Sequence, residues 1–112
     1  MIPKGRRDVI YTLTILPDYS PVRGNALASG DDAVDRRVEN TILRRLDRGD
    51  VWAWCTVKVT ARWGGFSGTD SLGGCNYRNE AEFRLPGGYY HDMCAAALAD
   101  LERQLVSAQD YF

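Results

Sequence analysis

Features that would point directly to a chemistry are scarce in this sequence. It has one histidine, His91, and three cysteines, Cys55, Cys75 and Cys94, with no paired C-x-x-C. An odd number of cysteines without a regular framework indicates free thiols, so we predict a protein of a reducing, cytoplasmic compartment. Full G-x-G-x-x-G and P-loop patterns are also missing, so the paired glycines predict turns rather than a phosphate-binding loop.

The chain also has no large excess of positive or negative charge. Fourteen basic residues face fifteen acidic ones, a net charge of −1. A near-neutral chain argues against general DNA or RNA binding, which depends on many phosphate contacts, and against wholesale mimicry of a nucleic acid. No apolar run approaches membrane-spanning length, and no apolar segment follows the basic residues near the N-terminus. We therefore predict neither a membrane span nor a signal peptide.

The first half of the chain has the pattern of a strand, a loop and a helix. Residues 8–17 alternate as a strand that Pro17 ends, and residues 18–30 form a long loop rich in Pro, Gly, Ser and Asn. A loop of this length is either mobile or contacts a partner. A helix follows from Ser29 or Gly30 and ends at Gly49. Its buried stripe recurs every four residues, at Val34, Val38, Ile42 and Leu46.

The second half predicts a hairpin and a helix. A strand from Val51 to Trp63 is joined by a Gly64-Gly65 turn to a returning strand over residues 66–77. Glycines within that strand, Gly68 among them, indicate a bulge or a close backbone approach. The last helix covers residues 90–107. The predicted fold is α+β, a single β-α-β-β-α domain over residues 1–112, with a three-stranded sheet and two helices packed on one face. Residues 1–7 are expected to be a flexible arm.

The stretch VWAWCTVKVTARW predicts a strand with two different faces. Small and β-branched residues alternate on the face that suits two helices: Val51, Ala53, Cys55, Val57, Val59 and Ala61. The opposite face carries Trp52, Trp54, Thr56, Lys58, Thr60 and Arg62. Two exposed tryptophans would form an apolar patch of a size that indicates a partner or a homodimer. The alternative is that the N-terminal arm, the long loop or the Tyr111-Phe112 tail covers them.

A row of arginines lies beside the apolar stripe of the first helix. Arg37, Arg44 and Arg48 share one side of the helix, with Thr41 between them. Such a ridge would meet an acidic protein surface or a phosphate backbone, unless its charges pair locally, as Asp32 would with Arg36. The sequence therefore predicts these partner-binding residues: Trp52, Trp54, Lys58, Arg62, Arg37, Arg44 and Arg48.

Two chemical alternatives rest on the cysteines. His91 and Cys94 lie one helical turn apart, and with Cys55 and Cys75 they make up the ligand count of a structural zinc site, but the spacing is poor. A Cys–His enzyme lacks a third, orienting group at a recognisable spacing. We therefore predict a protein that is not an enzyme, with no catalytic residue, no cofactor and no metal site.

Residues 51 to 101 carry a distinctive set of motifs. These are Trp52-Ala53-Trp54-Cys55, Gly64-Gly65-Phe66-Ser67-Gly68, Leu72-Gly73-Gly74-Cys75, Glu80-Ala81-Glu82-Phe83, Gly87-Gly88-Tyr89-Tyr90 and Ala95-Ala96-Ala97-Leu98-Ala99-Asp100-Leu101. The segment resembles small uncharacterised proteins encoded by bacteriophages and other mobile elements. The resemblance implies a binding protein without a cofactor, of the kind that includes anti-CRISPR inhibitors of host defence, and it transfers no catalytic residue.

Two functions follow as expectations. The first is a small inhibitory binding protein in the bacterial cytoplasm whose partner is a host protein, such as a subunit of a CRISPR effector. The second is a nucleic-acid-associated accessory module, although the charge balance disfavours direct nucleic-acid binding. A homodimer is compatible with both, because a three-stranded sheet leaves edges and an open face that are commonly paired or covered.

Overall fold

The structure, a computed structural model, describes residues 8–109. Its elements in chain order are β1 (Ile10–Pro17), α1 (Asp32–Asp47), a 3-10 turn (Val51–Ala53), β2 (Cys55–Trp63), β3 (Phe66–Cys75), α2 (Glu80–Phe83) and α3 (Tyr89–Gln109). The strands form one antiparallel sheet in the order β1-β2-β3. The small α+β fold predicted from the sequence is confirmed. The predicted arm at residues 1–7 lies outside the described residues.

Local signals set the ends of α1. Asp31 caps the helix, because its carboxylate accepts hydrogen bonds from the backbone N–H groups of Ala33 and Val34. The helix therefore begins at Asp32, two or three residues after the predicted start at Ser29 or Gly30. At the other end Gly49 has a φ of 83° and donates its N–H to the carbonyl of Leu46 at 2.9 Å. A glycine adopts this backbone conformation without strain, so the predicted helix end is confirmed.

The contacts within the chain define two compact units. The first contains residues 8–14, Lys58–Ser71 and residues 84–109. Its hairpin turns at Gly64, whose φ of 58° suits the first central residue of a two-residue β-turn. Its buried apolar side chains are those of Val9, Val59, Ala61, Met93, Ala97, Leu101 and Leu105. The helix α3 packs directly on β3 at Gly68, where a Cβ atom would overlap the backbone of Ala97 and Leu101. The close approach predicted for the glycine-rich strand is therefore present.

The second unit contains Ile15–Val57 and Leu72–Phe83. Its core cluster consists of Val22, Ile42, Ala53 and Trp54, with Ala26, Val38, Leu43 and Leu46 packed against it. The loop after β1 thus supplies apolar side chains to the same cluster as α1. A second group of rings joins Trp52, Tyr77 and Phe83, with centroids 5.0 to 6.4 Å apart.

The predicted start of the second strand at Val51 is wrong. Asp50 accepts a hydrogen bond from the N–H of Trp52 at 3.2 Å, and its carbonyl accepts one from the N–H of Ala53. These bonds close a 3-10 turn, so regular alternation begins only at Cys55. From Cys55 onward the predicted core face is confirmed, because Cys55, Val57, Val59 and Ala61 are fully buried.

Candidate partner-binding surface

The arginine ridge of the second unit comprises Arg37 and Arg44 on α1 and Arg48 at its C-cap, and all three are exposed. Residues three and four apart share one side of a helix, so these arginines line up while Ile42 faces the core. Thr41 lies within the row, donating its hydroxyl to the carbonyl of Arg37 and accepting a bond from Arg44 at 3.2 Å. The helix therefore presents a row of exposed arginines along one side.

None of the three ridge arginines forms an ion pair within 4.0 Å with a carboxylate among the residues that the structure describes. The acids of α1 that lie nearest the loop bond elsewhere: Asp35 accepts from the N–H and hydroxyl of Ser29, and Glu39 accepts from Arg23 and from the N–H of Gly24. The predicted alternative of an Asp32–Arg36 pair is not formed within 4.0 Å in residues 8–109. The ridge keeps its charge available to a partner.

Lys58 and Arg62 occupy a different surface, in the first unit. They alternate with the buried Val59 and Ala61 on β2, so they project from the open face of the sheet. Arg62 is exposed and Lys58 is half-buried. Neither makes an ion pair with any residue from 8 to 109. The predicted site residues are thus divided between the two units, with the arginine ridge in the second and this pair in the first.

The predicted exposure of Trp54 is wrong. Its side chain is only 3% exposed and packs in the cluster with Val22 and Ile42. Its indole N–H donates to the carbonyl of Ser20 at 3.0 Å, so the polar atom of the ring is satisfied by the loop. The sequence left three segments as possible covers for the tryptophans, and the long loop is the one that covers Trp54. The N-terminal arm and the Tyr111-Phe112 tail lie outside the described residues.

Trp52 is half-buried rather than part of an open patch. Its ring stands edge-on to Tyr77 at 6.4 Å and tilts against the buried Phe83 at 5.8 Å. The physical reason is the 3-10 turn, which takes Trp52 out of the strand and off the sheet face. The two tryptophans therefore contribute mainly to packing within the second unit.

The carboxylate of Asp18 fastens the start of the long loop to the sheet. It accepts hydrogen bonds from the hydroxyl of Ser20 at 2.6 Å, the N–H of Gly74 at 2.7 Å, the N–H of Ser20 at 2.9 Å and the hydroxyl of Thr56 at 3.1 Å. Donors of this kind stabilise the ionised form, with the Ser20 hydroxyl contributing most. They lower the pKa of Asp18 from 3.8 to about 2.

Replacing this carboxylate should change how stability depends on pH. Because the pKa of Asp18 is lower in the folded state, its contribution is fully present above pH 3.8 and is lost as the pH falls towards 2. We expect Asp18→Asn to lower the free energy of unfolding by about 1–2 kcal/mol at neutral pH. Urea unfolding of both proteins at a series of pH values measures the difference, which should shrink below pH 4. A difference that stays constant with pH would contradict the assigned bonds.

Arg45 differs from the ridge arginines because its guanidinium is fully engaged. It donates to the carboxylate of Asp50 at 2.8 Å, the side chain of Asn76 at 3.0 Å and the carbonyl of Tyr77 at 2.6 Å. These partners fasten α1 to the chain that leaves β3. Arg45 was not singled out from the sequence, because Asn76 and Tyr77 lie about thirty residues away in the chain. It is a structural arginine and not part of the binding surface.

The cysteines and the histidine fall into separate groups. Cys55 and Cys75 lie in the second unit, where burial raises the pKa of Cys55 to about 11 and also raises that of Cys75. Thiols with raised pKa values are poor nucleophiles near neutral pH. His91 and Cys94 lie in the first unit and line a cleft of about 260 Å³ with Tyr11, Ala95 and Leu98. Within residues 8–109 no three His, Cys, Asp or Glu side chains form a group able to hold a metal ion.

None of the helices between residues 8 and 109 combines the length and apolar content needed to cross a bilayer. No family model, curated protein or solved structure is significantly similar to this chain. The arrangement of charges in the structure therefore carries the functional argument.

Proposed function

We propose that this protein is a small non-catalytic binding protein of a phage or mobile element, one that inhibits a host defence complex by protein–protein contact in the manner of anti-CRISPR proteins. The observation that supports binding is the arginine ridge, Arg37, Arg44 and Arg48, which is exposed and unpaired within the described residues. The choice of a defence complex rests on the resemblance of residues 51 to 101 to phage-encoded proteins.

The ridge suits an acidic protein surface for two reasons. A guanidinium presents a planar fork of N–H groups that matches a carboxylate, and arginine is enriched where interfaces bind most tightly. Arg37 on α1 and Arg48 at its C-cap are eleven positions apart, which corresponds to about 16 Å along the helix axis. No internal ion pair in the described part of the chain has to break before these side chains bind. The target would carry carboxylates over a similar length.

Affinity capture with purified CRISPR effector complexes tests this proposal. The double variant Arg37→Glu/Arg48→Glu should lose at least about tenfold in affinity, because two attractive contacts become repulsive. The matched control is Arg78→Glu/Arg103→Glu, which makes the same change in net charge at two exposed arginines outside the ridge. The control should bind as the unmodified protein does. Equal retention of both variants, or no effector bound at all, would contradict the proposal.

The open face of the sheet favours a second function, a nucleic-acid-associated module. In strand residues 10–14, 58–63 and 66–71 of the first unit, this face carries Lys58, Arg62 and no carboxylate. Its other side chains include the hydroxyl residues Thr12, Thr14, Ser67, Thr69 and Ser71, and the buried Thr60. Fluorescence anisotropy with single- and double-stranded probes over a range of salt separates the two functions. Binding that weakens steeply with salt and is lost on Lys58→Ala/Arg62→Ala would favour the nucleic-acid module over the inhibitor.

A further inference from the structure

The two edges of the sheet differ in whether another part of the chain bonds to them. At the β3 edge, the N–H of Thr69 donates to the carboxylate of Asp100 on α3 at 2.8 Å, so a side chain already occupies this edge. At the other edge, β1 has β2 as its one neighbouring strand within residues 8–109. Strand edges are usually protected from pairing by charged residues, bulges or proline. The eight residues of β1 include no charge and no glycine, and their one proline is the last residue.

The side chains of β1 are also poorly covered. On the open face Ile10 is 69% exposed and Leu16 is 47% exposed, and both are large apolar residues. On the opposite face Leu13 and Ile15 are half-buried, whereas Val57 and Val59 of the adjacent strand are fully buried. A further strand beside β1 would cover apolar side chains on both faces.

The order of residues in β1 identifies that strand. The segment from Ile10 to Leu16, IYTLTIL, is nearly palindromic about Leu13. If two copies of β1 pair antiparallel with Leu13 opposite Leu13, then Ile10 lies opposite Leu16 and Thr12 lies opposite Thr14. On the other face Tyr11 lies opposite Ile15. Every cross-strand pair is then apolar with apolar or threonine with threonine, the combinations that stabilise neighbouring strands.

We propose that the β1 edge is a homodimer interface, in which a second copy of the chain pairs its β1 antiparallel about Leu13. This contact uses the same surface on both copies, so it closes as a two-fold dimer and does not propagate. The two sheets join into one continuous sheet of six strands. The interface does not include the arginine ridge, so the dimer and the proposed inhibitory function can be tested separately.

Sedimentation equilibrium of the full chain and two variants tests this interface and its register. The unmodified chain should sediment at twice its 12.5 kDa mass. Thr12→Glu/Thr14→Glu sets carboxylate against carboxylate at both mutated pairs, so this variant should sediment as a monomer. Thr12→Lys/Thr14→Glu sets each new lysine opposite a new glutamate of the other copy, so this variant should remain dimeric. Both positions are exposed, and far-ultraviolet circular dichroism confirms that each variant is folded.

Three results would overturn the interface. An unmodified chain that stays monomeric from micromolar to millimolar concentration would show that two copies do not pair. A dimer that persists in folded Thr12→Glu/Thr14→Glu would place the contact elsewhere. If both variants are folded monomers, the register centred on Leu13 is wrong, because only that register sets unlike charges opposite each other in one variant and like charges in the other.

Discussion

Gly68→Ala should destabilise the protein more than any other single methyl addition in the β2–β3 hairpin, by about 3 kcal/mol. The added Cβ would overlap the carbonyl oxygen of Ala97 and the amide nitrogen of Leu101, and it would lie 2.7 Å from the Cα of Leu101. All three atoms belong to the backbone of α3, so no side-chain rotation can relieve the contact. The helix must move away from β3, which opens the buried contacts of Leu101 and Ala97.

Gly65→Ala is the matched control, because the same methyl group is added in the same hairpin. A Cβ at Gly65 meets no atom within 4 Å, and this glycine does not have a positive φ. Its free energy of unfolding should therefore change by less than about 0.5 kcal/mol. Chemical denaturation followed by far-ultraviolet circular dichroism measures both variants. Equal midpoints for the two would mean that α3 does not rest on the backbone of β3.

The glycine content of β3 shows how far sequence reasoning reaches. A glycine inside a strand pattern indicates that something approaches closely, and that prediction for Gly68 is correct. The identity of the neighbour was not predictable, because it depends on where α3 crosses the sheet. Local periodicity likewise predicted the exposed row of Arg37, Arg44 and Arg48, since helical spacing alone sets which residues share a side.

The tryptophans show where such reasoning fails. Strict alternation predicts a strand that begins at Val51, but Asp50 accepts a hydrogen bond from the N–H of Trp52 and starts a 3-10 turn that breaks the alternation. An Asp two residues before the bonded N–H is a local signal that could have been recognised. The burial of Trp54 had no local signal. It depends on Val22, an isolated apolar residue in a loop whose composition otherwise indicates exposure.

Trp54→Ala should lower the free energy of unfolding by about 3–5 kcal/mol, the usual cost of truncating a buried tryptophan. The ring contacts the loop, α1 and the end of β3: it packs with Val22 and Ile42, and it approaches the position of a Cβ at Gly74 to 3.5 Å. Truncation would leave a cavity among these groups and an unused acceptor on Ser20. Trp54→Phe keeps part of the apolar contact but loses the indole hydrogen bond and part of the ring's packing, so a smaller loss of about 1–2 kcal/mol is expected.

Tyr19→Ala provides the contrast, since Tyr19 lies in the same loop and its side chain is 93% exposed. Removing it should change stability by less than about 0.5 kcal/mol. Guanidinium unfolding monitored by the remaining tryptophans measures all three variants. If Trp54→Ala unfolds at the same denaturant concentration as the unmodified protein, then the loop does not cover this ring, and Trp54 returns to the set of exposed partner-binding residues. If the loss is several kcal/mol, any reduced binding of Trp54→Ala reflects the altered fold, and only the arginine variants report on contact with a partner.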